Sequence, residues 1–284
     1  MELRFGSEIK LRVRSRRVLN TLNDSKDMPQ TELQPGTMQQ SPLRQSKMRQ
    51  TMTRYTMTAG LAATIGVAGS AAYFSPWLWR RYRMNRIRRE VVKNRILALT
   101  YDDGPSHELT PQVLDLLQRR NARGTFFMLG RNAQQHPEIA DRVVEEGHDI
   151  GCHSDQHLNA WKALPWEAVA DIDAGYEKLS PWIQPNAIYR PPYGKMTLPT
   201  YLSLRRRGAP VWWWTIDSGD TREVMPSPAQ VADRLRRDGG GIVLMHDLDR
   251  TQRRNDFVLE LTATLLDVAQ QESFKVMALR EMCQ

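Results

Sequence analysis

Cysteine is almost absent from this chain. Cys152 and Cys283 are its only two among 284 residues, too few for a disulfide framework and silent about redox compartment. A sustained apolar period is missing from Met1 to Thr53, where Arg, Gln, Ser, Thr and Met dominate and Pro29, Pro35 and Pro42 interrupt; such a stretch cannot bury enough surface to fold alone. Charge of either sign is missing from Tyr55 to Trp79. Basic excess is missing from Lys93 onward, where 23 Lys and Arg face 26 Asp and Glu, whereas Met1 to Val92 holds 17 against 6. The formal charge of +8 therefore belongs to the N-terminal third. No phosphate-tracking groove, and so no nucleic-acid partner, is expected in the folded part.

The N-terminal third reads as three pieces. Residues 1–54 are a basic tail expected to be disordered, in which Ser15-Arg-Arg17 faintly resembles a twin-arginine signal lying too far upstream of the apolar stretch. Residues 55–79 are long enough to cross a bilayer, although Gly, Ala, Thr and Ser dominate, with Tyr73, Trp77 and Trp79 at the end where an interfacial belt would lie. Residues 80–92 form a basic linker. Counting the bases on either side, the positive-inside rule keeps the C-terminal domain in the cytoplasm. A start at Met48 would instead make the apolar run a signal-like segment with Ser70-Ala-Ala72 as its cleavage site, and would send the remainder to the cell envelope or outside. The chain is thus expected at the membrane through residues 55–79, with its catalytic domain in the cell envelope or outside and the cytoplasmic side as the alternative.

From Lys93 to Gln284 short β-rich runs alternate with amphipathic helices. Strands are expected at Ile96 to Tyr101, Thr125 to Leu129, His148 to Cys152, Ala187 to Tyr189, Val211 to Ile216, Gly241 to Met245 and Phe274 to Ala278. Helices are expected after Thr110-Pro111 and Pro137, along Trp166, Val169, Ile172, Tyr176 and Leu179, after Ser227-Pro228, and around Leu261 to Val268. This alternation means a parallel sheet, open or closed into a barrel.

The polar groups able to do chemistry sit just past the strands. Asp102 and Asp103 end the first; His153 and His157, Arg190 and Tyr193, Asp217 and Asp220, and His246 and Asp247 come after later ones. The carboxyl ends of parallel strands share one face, where active sites are built. Adjacent carboxylates repel, so Asp102 and Asp103 need separate partners, one a metal and the other a proton or cation. His153 and His157, four apart, with Asp103 make a two-histidine, one-carboxylate set suited to zinc or a similar divalent ion. In Trp212-Trp-Trp214, strand alternation puts Trp213 on the face of Thr215 and Asp217; part of the run is core, and one ring is a candidate wall of the substrate pocket.

These residues resemble the polysaccharide deacetylases of carbohydrate esterase family 4, which carry the NodB homology domain. Thr100-Tyr-Asp-Asp-Gly-Pro105, His153-Ser-Asp-Gln-His157, Arg190-Pro-Pro-Tyr-Gly194, Asp217-Ser-Gly-Asp220 and Leu244-Met-His-Asp247 are similar to its five motifs, in order, over residues 93–284. One departure is Thr221, where the family usually has Trp. The resemblance implies a distorted (β/α)7 barrel and metal-dependent removal of N-acetyl groups from an N-acetylglucosamine-containing glycan, peptidoglycan or a chitin-like oligomer; a monomer is expected, although nothing in the sequence fixes the oligomeric state. It implies Asp103, His153 and His157 as ligands of a divalent metal, zinc first, with cobalt, nickel or manganese as substitutes. It implies Asp102 as the base acting on water, held ionised by Arg190, and His246 as the acid, oriented by Asp217. The backbone N–H of Tyr193 would stabilise the oxyanion, and Leu244 with a tryptophan such as Trp213 would line the acetyl pocket. Relatives in chemistry, an O-acetyl esterase on xylan-like polymers or an amidase on small cyclic amides, share most of these motifs. An inert, membrane-tethered glycan-binding protein is the non-enzymatic alternative.

Overall fold

The computed structural model describes residues 42–283, and the chain divides into two units, Met1–Met57 and Thr58–Gln284. Of the tail expected to be disordered, positions 1–41 lie outside the described residues. Helix α1 (Pro42–Phe74) takes in the rest, so 42–54 is helical; no Pro or Gly occurs from Leu43 to Ala59, and the Gln, Lys, Arg and Met there favour helix. None of the α1 residues is buried, and it is long and apolar enough to cross a membrane. The apolar stretch does not run unbroken to Trp79: α1 ends at Phe74, and helix α2 (Pro76–Lys93) opens on Pro76, whose missing N–H costs nothing at a first helical position.

Helix α2 corrects the expectation of a basic linker over 80–92. Its arginines hide Pro76, Ile87 and Val91, which are buried. Ile87 and Val91, four apart and so on one face, pack with Ile96, Ala98, Phe127, Ile188, Trp212, Ile242 and Leu279. The folded unit therefore begins before Lys93.

The remaining elements, in chain order, are β1 (Ile96–Asp102), α3 (Leu109–Arg119), β2 (Thr125–Met128), α4 (Gly130–Gln135), α5 (Pro137–Glu145), β3 (Asp149–Cys152), α6 (Pro165–Leu179), α7 (Leu198–Arg207), β4 (Ile216–Asp217), α8 (Pro228–Asp238), β5 (Gly241–His246), α9 (Gln252–Gln271) and β6 (Lys275–Val276). Local signals set many of the ends. Ser227 and Gln230 cap α8 reciprocally, and Gly208 and Gly239 close α7 and α8 in the left-handed conformation.

All strand pairs are parallel, in the order β3-β2-β1-β5-β4, with β6 on the lower part of β1. Single bridges carry the sheet from Cys152 to Tyr189 and from Tyr189 to Val211, and the segment from Val211 runs into β4. The ring closes through six extended segments, one only a bridge long, with β6 as a seventh beside β1 and off the ring, which is the distorted barrel expected. Every residue of β1 is buried. Leu97, Leu99 and Tyr101 face the helices with Phe126, Met128, Val243 and Met245. Ile96 and Ala98 face the interior, and the same parity brings Thr100 and Asp102 inward at the carboxyl end. The interior thus turns from apolar at the bottom to polar at the top.

Candidate active site

Register places the first pair of groups. Asp102 of β1 lies opposite His246 of β5. The Cys152–Tyr189 bridge sets His153 beside Arg190, and His153 Nδ1 lies 2.7 Å from the Arg190 carbonyl. A carbonyl only accepts, so Nδ1 carries the proton and Nε2 presents a lone pair. Burial pushes His153 down to about 3, keeping it neutral. Its Nε2 is 3.5 Å from Asp103 Oδ1, and His157 Nε2 is 3.2 Å from the same oxygen. His157 is also lowered by burial.

Asp103 Oδ1 is buried and receives no hydrogen bond. Two imidazoles turned on one undonated carboxylate oxygen concentrate electron density there, while the cation facing this carboxylate, Arg250, lies 3.7 Å from its other oxygen, Oδ2. The ligand atoms of Asp103, His153 and His157 lie within 4.8 Å of one another, and their N₂O donor set suits a divalent ion. The residues therefore fit a metal.

Unusual backbone conformations support this arrangement. Asp103, Ser154, His157 and Tyr193 all have positive φ, at 74°, 70°, 61° and 55°, conformations that side-chain-bearing residues seldom hold without compensation. The compensation is visible around them. Asn132 Nδ2 donates to the Asp103 carbonyl at 2.7 Å. Asp171 of α6 accepts from the Gln156 and Leu158 N–H groups at 2.6 and 3.0 Å, fixing both neighbours of His157. A Cβ on Gly175 would stand 2.5 Å from the Ser154 backbone, so only glycine lets α6 approach. Sequence reasoning misses these supporting residues because Asp171 sits on a helix whose visible signal is its apolar stripe.

Asp102 has a different partner. Arg190 Nη1 donates to Asp102 Oδ1 at 2.7 Å and to Thr100 Oγ1 at 2.8 Å, and its guanidinium lies 4.1 Å from the Phe127 ring centre. Burial raises the Asp102 pKa, and the charges of Arg190 and His246 oppose that rise. The carboxylate stands beside the metal-type cluster, 3.7 Å from His153 Nε2.

His246 corrects one expectation. Its Nδ1 pairs with Asp220, at 3.0 and 3.1 Å to the two carboxylate oxygens, and its backbone N–H donates to the same group at 2.8 Å. Although burial works against the charged form, the Asp220 hydrogen bond and charge raise His246 to about 9. Asp217 does not reach it. The Asp217 carboxylate accepts from the Gly219 N–H at 2.8 Å and faces Arg222 at 3.5 Å. The three-residue turn through Gly219, at φ 76°, brings the second acid of that motif inward and leaves the first at the rim.

Trp213 is the second correction. Its indole belongs to the helix-facing core, against Trp79 at 5.8 Å, and donates to the Gly194 carbonyl at 3.3 Å. The crevice it lines, with Trp77, Trp161 and Gly194, lies beneath the Tyr193 loop and is not lined by the metal-type cluster. Trp214 is the indole that comes near, with its ring centre 5.9 Å from the Arg190 guanidinium. Leu244 is buried, facing the same way as His246 two residues on. Tyr193 is exposed, its ring 4.5 Å from that of His157, and Arg80 of α2 donates to the next residue's carbonyl, Gly194, at 3.2 Å. Helix α2 thus braces the loop that carries Tyr193.

Residues 89–226 match the family described as polysaccharide deacetylase. The chain is 35% identical over 170 residues to a peptidoglycan-N-acetylglucosamine deacetylase of Bacillus cereus, covering 57% of this chain and 79% of that one. It is 31% identical over 193 residues to the peptidoglycan-N-acetylmuramic acid deacetylase PdaC of Bacillus subtilis, covering 64% of this chain but 39% of that one. Among solved structures, the Bc1960 peptidoglycan N-acetylglucosamine deacetylase, in complex with 4-naphthalen-1-yl-N-oxidanyl-benzamide, superposes with a TM-score of 0.61 at 26% identity, covering 67% of this chain and 89% of that one.

Proposed function

Because the chain belongs to the polysaccharide deacetylase family, we propose that it hydrolyses the N-acetyl group of N-acetylglucosamine units in a glycan, peptidoglycan or a chitin-like oligomer. The observation that carries this reading is the undonated Asp103 oxygen faced by two neutral imidazoles, flanked by Asp102 with Arg190 on one side and His246 with Asp220 on the other. Asp103, His153 and His157 would hold a divalent ion, zinc first. The hydroxamate bound by the Bc1960 enzyme, a group that chelates such ions, supports this. When bound, the ion supplies Lewis acidity, polarising the acetyl carbonyl and acidifying water.

The remaining work falls to the chain's own side chains. Asp102 takes one proton from the attacking water as its oxygen bonds to the acetyl carbon; the carboxylate's raised pKa makes it a stronger acceptor. Arg190 keeps it in place. The backbone N–H of Tyr193 donates to the carbonyl oxygen as negative charge develops there, and Leu244 packs against the acetyl methyl. The protonated His246, held by Asp220, delivers its proton to the sugar nitrogen as the carbon–nitrogen bond breaks. Acetate and the free amine leave. Asp102 returns its proton to solvent, and His246 regains one.

The apolar part of α1 would anchor the protein in a membrane, with the site on the envelope side, where such glycans lie. The test is acetate release from N-acetylglucosamine oligomers and from peptidoglycan by the full chain in detergent, stripped with chelator and resupplied with zinc. Loss and return of acetate is expected. Release from acetylated xylan alone would establish the esterase alternative, and no release with any divalent ion would overturn the reading.

A further inference from the structure

The last residue of α1 touches the active-site rim. The Phe74 ring packs edge-on against Trp161 at 5.5 Å, and Trp161 lies four residues after His157. Lys195 Nζ sits 4.1 Å from the same indole's ring centre, and the Trp161 indole N–H donates to the Met196 carbonyl at 3.1 Å. Lys195 is two residues beyond Tyr193, whose ring rests on His157. Trp77 shares a small crevice with Trp161, Gly194 and Met196. One surface therefore runs from the end of the charge-free stretch to the mouth of the site.

Its composition is that of a lipid interface. Trp77, Trp161 and Tyr193 are exposed to solvent, and Leu78, Leu164 and Trp166, which follow Trp77 and Trp161 closely in sequence, are exposed as well. The bases Arg80, Lys162 and Lys195 lie among them in the sequence. The acid nearest to them in sequence is Glu167, whose carboxylate accepts from the Leu164 N–H at 3.1 Å. Aromatic rings with an apolar body and a polar tip collect at the headgroup layer, and bases there are drawn to anionic lipid. A glycan platform would use the rings equally well. Continuity favours lipid: a helix long and apolar enough to cross a membrane, with no buried residue, ends on the patch itself.

We propose that this aromatic and basic rim docks on the bilayer surface, so that the mouth of the site works against the membrane face and on glycan lying close to it. The proposal rests on the membrane reading of α1 and not on the deacetylase reading. Its test uses the full chain in nanodiscs containing phosphatidylglycerol. An environment-sensitive fluorophore is placed by Lys162→Cys on the rim, by Ile65→Cys in α1, or by Gln271→Cys at the far end of α9, each in a Cys283→Ser background; the remaining Cys152 is buried and its thiol pKa is raised by that burial. Nitroxide lipids are expected to quench the probes at 162 and 65 and to spare the one at 271. Trp161→Ala with Lys195→Gln should abolish quenching at 162 while leaving it at 65. Quenching at 65 alone would overturn the docking and keep the anchor; quenching at neither would overturn both. Shielding of the 162 probe by soluble N-acetylglucosamine oligomers, with no response to nitroxide lipid, would assign the rim to glycan and refute the proposal.

Discussion

If Asp220 is the group that keeps His246 protonated, replacing it by Asn should move the alkaline limb of activity and little else. His246 must carry a proton to act as acid, so turnover falls as pH rises through its pKa, about 9 in the native protein against an ordinary 6.5. That difference is worth about 3 kcal/mol of preference for the charged ring. Asp220→Asn keeps an oxygen to accept the His246 backbone N–H and removes the charge. Burial then acts unopposed by its nearest counter-charge, and the limb should fall to about 6.5 or below. At pH 8 the native ring is about nine-tenths protonated and the variant's about one-thirtieth, so turnover should drop about thirtyfold or more, while near pH 6 most of it survives. The assay is kcat for acetate release against pH at saturating substrate and metal. Asp217→Asn is the control, since that carboxylate pairs with Gly219 and Arg222 and its loss should leave the limb near 9. A limb that stays near 9 in Asp220→Asn, or that moves in Asp217→Asn, would refute the pairing.

The neighbouring contacts lead to other expected outcomes. Asp102→Asn should keep the metal, measured by elemental analysis, and lose about 10²–10⁴-fold in kcat, the usual contribution of a positioned base; loss of the metal instead would mean that the two aspartates exchange roles. His153→Ala should lose metal and activity together. Asp171→Ala touches no ligand but strips the acceptor from the Gln156 and Leu158 N–H groups, so metal affinity should weaken about 10–100-fold, with kcat largely restored by excess metal. A chain starting at Lys93 should melt well below one starting at Pro76, because Ile87 and Val91 contribute together about 3–6 kcal/mol of burial, an upper figure; equal melting temperatures would mean that α2 is not part of the folded unit.

The barrel is legible in the sequence because its strands announce themselves twice, as β-rich runs and as the runs that end in chemistry. Six of the seven expected segments overlap a strand, and the seventh, Ala187 to Tyr189, survives as two isolated bridges through Tyr189. Structure whose apolar residues are few escapes. Helix α7 buries only Thr200 and Leu204, and α4 spans six residues, too little for a 3.6-residue period to register. In α2 the arginines outnumber the two buried aliphatic residues that matter, and its charge reads as solvation.

The site divides along the same line. Asp102, Asp103, His153 and His246 are visible because each stands at or just past a strand end, where parity and register leave little freedom, and Arg190 because it follows the Tyr189 bridge; His157 is visible through its spacing from His153. The partner of His246 is not, because it depends on how a loop folds between two candidate acids. Asp217 ends β4, and strand logic alone gives it the role. Gly219 turns the chain through a left-handed conformation, and Asp220 reaches Nδ1 and the backbone N–H of His246 with one carboxylate. The same limit misassigns the tryptophans. Alternation correctly separates Trp213 from Trp212 and Trp214, but which face is the barrel interior is decided by α2, which covers Trp213 with Trp79 and Arg80 and leaves Trp214 beside Arg190.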